Sequence, residues 1–136
     1  MIEVRSVTKK DIKGVYHLMN IGVREGTLLK RSKKELLSLV KGEFIIGAFD
    51  GEELVGMSIL DFYSKRLSEL RSIIVLEDYR SMGVGKQLVK GVIKKAKSLH
   101  VKELMTITLQ EKKGYFGKFG FFEAVHGFKV ALFKKL

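Results

Sequence analysis

The sequence predicts an α/β (α+β) fold, a mixed central β-sheet flanked by about four helices. Three observations carry that expectation. Apolar runs of strand length outnumber amphipathic stretches of helical length. The two kinds are interspersed rather than strictly alternating, which favours a mixed sheet over a purely parallel one. One apolar run passes through a glycine loop directly into a long amphipathic stretch, the handover of a strand to a helix.

Taken in order, residues 2–7 alternate apolar and polar, as an opening strand does. Thr8 can cap a helix over residues 10–21, with Ile12, Val15, Tyr16 and Met19 on one face. Residues 23–31 carry no period and read as irregular. Ser32-Lys33-Lys34-Glu35 has the spacing of a capping box, followed by Leu36, Leu37 and Val40, so a short second helix should end at Gly42. Residues 44–49 and 54–60 are apolar runs joined through Asp50-Gly51, a strong hairpin signal. A further strand spans residues 67–76. The glycine loop and a long helix follow, with Leu88, Val89, Val92, Ile93, Ala96 and Leu99 as its apolar stripe and its lysines mainly elsewhere. Residues 103–109 read as a strand, 112–118 as a short helix, and 121–125 and 128–133 as closing strands around Gly127. The predicted order is β-α-α-β-β-β-α-β-α-β-β.

At 136 residues the chain is expected to form a single domain, residues 1–136, large enough to bury roughly two-thirds of its unfolded surface. There is no cysteine, which excludes disulfides, thiolate ligands and a cysteine nucleophile. Met1 to Lys10 is charged and alternating, unlike a secretory segment. No apolar stretch approaches the roughly 18 residues of a membrane span, so a cytoplasmic protein with no membrane partner is the expectation. The formal net charge of +11 and pI near 9.9 favour anionic partners: nucleic acid, a membrane surface or a phosphorylated cofactor. Many lysines serve solubility alone. His17, His100 and His126 show no ligand spacing and read as non-catalytic, and no metal is expected.

The chemistry concentrates between Ile73 and Leu88. Ile73, Ile74 and Val75 lead into Arg80-Ser81-Met82-Gly83-Val84-Gly85-Lys86. Glycines at a helix start allow close approach to backbone N–H groups that lack intrahelical partners and lie at the positive end of the helix dipole. Such a site suits phosphate. The dinucleotide pattern fails for want of a third glycine. The P-loop fails because no earlier glycine and no Ser/Thr after Lys86 are present.

Arg80-x-x-Gly83-x-Gly85 resembles the acetyl-CoA signature of the GNAT acyltransferase superfamily, (Gln/Arg)-x-x-Gly-x-(Gly/Ala). Tyr115-Phe116-Gly117-Lys118-Phe119-Gly120-Phe121 resembles the same family's aromatic-x-x-x-Gly-Phe segment, and the element order is the family's. The resemblance implies a GNAT fold in which a splayed strand pair binds acetyl-CoA. It implies direct acetyl transfer to an amine, with acetyl-CoA as co-substrate and neither a metal nor a covalent enzyme intermediate. It assigns the cofactor to Ile73, Ile74 and Val75, to the loop Arg80, Ser81, Met82, Gly83, Val84, Gly85 and Lys86, and to Phe116.

A narrower resemblance touches the acetyltransferase domain of N-acetylglutamate synthases. Arg24-Glu25-Gly26-Thr27-Leu28-Leu29-Lys30-Arg31-Ser32 is similar to a segment of that family, as is Ser68-Glu69-Leu70-Arg71. It implies a small-molecule amine as partner, namely the α-amine of an amino acid such as glutamate, and an arginine-biosynthesis role. Arg31, helped by Lys30 or Arg24, is then the carboxylate grip, because a guanidinium donates two parallel hydrogen bonds. Glu69 is the candidate general base and Tyr115 the candidate acid. Tyr115 lies one residue before the family's usual tyrosine position, which Phe116 fills. The family's arginine before the short helix is replaced near Glu111, a charge reversal that Lys112 or Lys113 can offset or that points to ornithine or another amine. An enzyme of the same fold acting on a protein N-terminus or lysine is the alternative. A non-enzymatic basic binding module is the remote one, disfavoured because the lysines are scattered without interleaved aromatics, so no nucleic acid is expected. A homodimer is left open.

Overall fold

Ile2 and Val4 alternate with Glu3 and Arg5 along β1 (Ile2–Ser6), the first strand of the computed structural model, which describes residues 1–109, 112–125 and 129–136. After β1 come α1 (Ile12–Arg24), α2 (Lys33–Lys41), β2 (Ile45–Asp50), β3 (Glu53–Asp61), β4 (Leu67–Val75), α3 (Val84–Ser98), β5 (Glu103–Leu109), α4 (Lys113–Gly117), β6 (Phe122–Val125) and β7 (Lys129–Lys135). This is the predicted order. The strands form one mixed sheet in the order β1-β2-β3-β4-β5-β7-β6. β4 and β5 run parallel, and the registers β1–β2, β2–β3, β5–β7 and β6–β7 are antiparallel.

Local chemistry explains the boundaries that differ from expectation. Thr8 N–H donates to the Asp11 carboxylate at 2.9 Å, and residues Lys9–Asp11 form a 3-10 turn, so α1 starts only at Ile12. Its far end reaches Arg24, where the Gly22 carbonyl accepts Thr27 N–H at 2.9 Å and Leu28 N–H at 3.1 Å. Those two bonds give the irregular segment after α1 a fixed exit. α2 is capped as expected: Ser32 Oγ accepts Glu35 N–H at 3.0 Å. In the hairpin Asp50 pairs with Glu53, so the central turn residues are Gly51 and Glu52 rather than Asp50 and Gly51. Gly51 takes φ 63°, a left-handed value that glycine adopts without steric cost. The turn expected at Gly127 lies outside the described residues.

The chain forms two compact units, Met1–Ile59 with Ser72–Val92, and Leu60–Arg71 with Ile93–Leu136, and β3 and β4 pass through both. In the first unit the core gathers Val7, Val15, Leu18, Leu36, Ile45, Phe49, Met57, Ile59 and Ile74. Leu88 and Val84 of α3 stand 3.2 and 3.4 Å from where a Cβ on Gly56 would lie, and the Ile74 carbonyl 3.1 Å. Gly56 therefore lets helix and neighbouring strand close on β3. In the second unit Leu70, Leu104, Phe116, Phe121, Val130 and Leu132 are buried.

Along β4, Leu70, Ser72 and Ile74 are buried, while Arg71 is exposed and Ile73 and Val75 are half-buried. The parallel register of β4 with β5 runs from Leu67↔Glu103 to Glu69↔Met105. Beyond it the Thr106 hydroxyl, a side chain, donates to the Leu70 carbonyl at 2.9 Å.

Candidate functional site

The glycine loop is organised by its backbone. Ser81 and Gly83 take φ 67° and 79°, two left-handed positions within three residues. Val84 opens α3, and the first helical bond runs from Gln87 N–H to the Gly83 carbonyl at 3.2 Å. Among the described residues, the amides from Ser81 to Lys86 donate no backbone hydrogen bond. N–H groups without backbone acceptors at the positive end of a helix dipole are suited to an anion. A Cβ added to Gly83 would meet nothing within 4 Å. The space beside that amide is open, so glycine is called for there by φ rather than by a neighbour in the chain. The donors and the cradle fit a pyrophosphate.

Arg80 does not extend into that space. Its Nε donates to the Val75 carbonyl at 2.9 Å and its guanidinium pairs with Glu25 at 3.1 Å. It ties the loop to the end of β4 and to the C-terminus of α1. Tyr79 adds a second tie, donating to Asp50 at 2.6 Å. That bond, with a smaller contribution from burial, pushes the Tyr79 phenol up to about 12. Ile74 is in the core, so of Ile73, Ile74 and Val75 only the backbone and the half-buried flanks face outward. Met82 is 60% exposed.

Arg31 is 8% exposed. Its guanidinium donates to Glu35 at 2.8 Å and to Ser72 Oγ at 3.0 Å. The helix that Ser32 caps brings Glu35 one turn on, and β4 supplies Ser72. The expected carboxylate grip is thus built into the protein's own hydrogen bonds. Beside it lies a recess of about 420 Å³ lined by Tyr16, Met19, Asn20, Lys30, Arg31, Ser32, Lys33 and Leu36. An adjoining recess of about 470 Å³ adds His17, Val23 and Arg24. The predicted Lys30 and Arg31 therefore come together in one concavity, with Asn20 and Lys33, which the sequence did not single out.

Glu69 is buried, at 6% exposed, and its Oε1 accepts the Tyr63 hydroxyl at 2.7 Å. Tyr63 was not foreseen. Its only signal is an exposed aromatic in the β3–β4 connection, six residues before the carboxylate it meets. Burial, then the bond to Glu69, pushes the Tyr63 phenol up to about 12. It is a neutral donor throughout the physiological range. Tyr115 is 40% exposed and meets Phe116 and Phe119 edge-on, with centroids 5.2 and 5.4 Å away. Partial burial raises its phenol above the usual value. Phe116 is buried and packs at 5.7 Å on Phe121, so its role in the fold is that of a core aromatic. Glu111, where the charge reversal stands, and His126 lie outside the described residues. Among the described residues no cluster of three metal-binding side chains occurs, and no helix is long and apolar enough to cross a membrane.

A strand that hands over to a helix through a loop whose amides find no backbone acceptor, on a mixed sheet, suits a protein that holds a pyrophosphate-bearing cofactor. Residues 15–121 match the acetyltransferase (GNAT) family, and the chain belongs to it. It is a GNAT N-acetyltransferase, an acyltransferase that uses acetyl-CoA. It is 28% identical over 120 residues, 88% of this chain and 75% of the relative, to an uncharacterized N-acetyltransferase of Chlorobaculum tepidum. It is 26% identical over 108 residues to the amino-acid acetyltransferase of Buchnera aphidicola, covering 79% of this chain but only 24% of that protein. The chain thus spans about a quarter of the amino-acid acetyltransferases it matches. In fold it resembles N-acetylglutamate synthase from Neisseria gonorrhoeae complexed with coenzyme A and N-acetyl-glutamate, with TM-score 0.86 and 19% identity over 100% of this chain and 35% of that one. PaiA N-acetyltransferase from Thermoplasma acidophilum in complex with coenzyme A gives TM-score 0.80 and 19% identity over 100% and 99% of the two chains.

Proposed function

We propose that the chain acetylates the α-amine of an amino acid, glutamate being the leading case, and that it works as one domain. The observation that carries the substrate class is the basic recess of Lys30, Arg31, Lys33 and Asn20 between α1 and α2. Cations and an amide at the wall of a concavity suit a carboxylate. The likeness to amino-acid acetyltransferases supports the same reading. That the family match runs through segments of both compact units supports a single working domain.

In this reading the amides of Ser81 to Lys86 hold the pyrophosphate, with Gly83 giving them access, and the backbone of Ile73 to Val75 orients the thioester arm. Glu69 takes the proton that the attacking amine must lose, directly or through water. The amine nitrogen bonds to the acetyl carbon as the carbon–sulfur bond breaks. The thiolate then takes a proton from Tyr115 or from solvent.

A second reading has a specific support. Arg31 already serves Glu35 and Ser72, which leaves Lys30 and Lys33 as the principal cations for an incoming carboxylate. A GNAT enzyme acting on another small amine, or on a protein N-terminus or lysine, needs no such grip.

A screen for CoA release over the amino acids, spermidine and a set of N-terminal peptides separates the readings. The expected result is turnover with an acidic amino acid, weakened by Lys30→Ala through the Michaelis constant. Turnover confined to spermidine or peptides would overturn the amino-acid assignment.

A further inference from the structure

We propose that Tyr63 is a positioning residue for Glu69, holding the carboxylate in the orientation from which it receives a proton. The inference rests on Glu69 being the base and goes beyond that reading, because it assigns a task to a residue in the β3–β4 connection.

The geometry is specific. The Tyr63 hydroxyl donates to Glu69 Oε1 at 2.7 Å, the short distance expected of a bond from a neutral hydroxyl to a carboxylate. Glu69 is 6% exposed, and among the described residues no buried side-chain oxygen lacks a partner. Tyr63 is the one hydrogen-bond partner found for the carboxylate there. The second oxygen, Oε2, therefore keeps the residual access to solvent. One oxygen is held by Tyr63 and, among the described residues, the other is left without a bond from the protein.

The connection itself is held in place. Tyr63 N–H donates to Ser68 Oγ at 3.2 Å, and Ser68 Oγ donates to the Ser64 carbonyl at 3.0 Å. Lys102 N–H donates to the Lys65 carbonyl at 2.7 Å, and Glu103 N–H to the Arg66 carbonyl at 3.1 Å. Tyr63 is 56% exposed. Its core contribution is therefore small, while its hydroxyl is committed to one buried carboxylate. A tyrosine retained only for packing would show the opposite distribution.

Among the described residues, the charged groups besides Glu69 that act on Tyr63 are Asp61 at the end of β3 and Arg71 on β4, themselves 3.9 Å apart. Met105 is the β5 residue in register with Glu69 and does not titrate.

Two measurements test this on the full chain. The first needs no acceptor. With tyrosine labelled at Cζ, the Tyr63 signal is assigned by its loss in Tyr63→Phe and titrated in the parent and in Glu69→Gln. A midpoint that falls from about 12 toward the ordinary phenol value confirms the contact in solution; an unmoved midpoint overturns the proposal. The second follows acetyl-CoA turnover, with the fastest acceptor from the screen above, against pH. Tyr63→Phe should lower kcat about tenfold and leave the Michaelis constant for acetyl-CoA unchanged, a split that a merely structural loss would not produce. In the Glu69→Gln background the same change should do nothing more, since groups acting as a unit are not additive.

The outcomes separate the two assignments. An impaired Glu69→Gln beside an unchanged Tyr63→Phe overturns the positioning role and leaves the base standing. Losses that multiply in the double variant also overturn it, since Tyr63 would then act apart from Glu69. A Glu69→Gln with the parent's profile removes both.

Discussion

The cofactor loop and the Tyr63–Glu69 pair are built on opposite principles. In the proposed reading the loop binds through backbone: Ser81 and Gly83 take left-handed φ, and among the described residues the amides from Ser81 to Lys86 donate to no other backbone group at the start of α3. Its side chains face away or, like Arg80, brace it from behind. The pair, as proposed, works through side chains, one buried carboxylate held by one phenol. A backbone site tolerates almost any residue except where φ is positive and space is needed. A side-chain site tolerates almost nothing, because its function resides in two oxygen atoms. Substitutions should therefore fail differently in the two regions.

The sharpest break belongs to the loop. Gly83→Glu puts a non-glycine residue at φ 79° and a negative charge in the phosphate cradle. Acetyl-CoA affinity should fall at least about a hundredfold, the loss of two or more charge-assisted hydrogen bonds. Calorimetry showing parent-like affinity would detach the loop from the cofactor. Glu69→Gln comes next and should spare acetyl-CoA binding altogether. Turnover should drop by about 10² at neutral pH, the usual scale of general-base assistance. The deficit should shrink at high pH, where the amine needs less help to lose its proton. A pH profile identical to the parent would release Glu69 from that role.

Arg31 lies between these extremes, because its guanidinium belongs to both the fold and the recess. Arg31→Ala strands the buried Ser72 hydroxyl and removes the partner of Glu35. A stability loss of about 1–3 kcal/mol is expected, read as a lowered denaturation midpoint, together with a raised Michaelis constant for an acidic amino acid. Arg31→Lys separates the two effects: a lysine cannot reproduce the fork that reaches Glu35 and Ser72 together, yet it keeps the charge. Stability recovered without the Michaelis constant, or the reverse, would show which task Arg31 performs.

The contrast also explains what could be read in the sequence. The order of elements, the cap at Ser32 and the loop were legible because each is written locally. Apolar period, a Ser-x-x-Glu spacing and glycines beside a helix start are patterns of neighbours. The partners that tune the site are not neighbours. Tyr63 meets Glu69 only because β3 turns back into β4, and Ser72 meets Arg31 from 41 residues away. Arg80 was readable as part of a motif, but its bond to the Val75 carbonyl and its ion pair with Glu25 depend on how β4 and α1 end. Even the hairpin turn slipped by one residue, from Asp50-Gly51 to Gly51-Glu52, since pairing of Asp50 with Glu53 decides it.

The smallest expected effect concerns Arg80, which the family motif gives to the cofactor and the structure gives to Glu25. Both partners of that ion pair are well exposed, so the pair contributes at most about 1 kcal/mol. Glu25→Gln removes the carboxylate that competes with a phosphate for the guanidinium, while the bond from Nε to the Val75 carbonyl still holds the side chain near the loop. If Arg80 helps to hold the cofactor, Glu25→Gln should tighten acetyl-CoA binding by no more than about fivefold at low salt. The gain should vanish near 1 M salt, where the screening length falls to about 3 Å. If Arg80 is solely a brace, the same change should loosen the loop and weaken binding at low salt, an effect that fades as salt screens the exposed pair. The sign of this small change decides whether the loop binds with backbone alone or recruits one side chain to help.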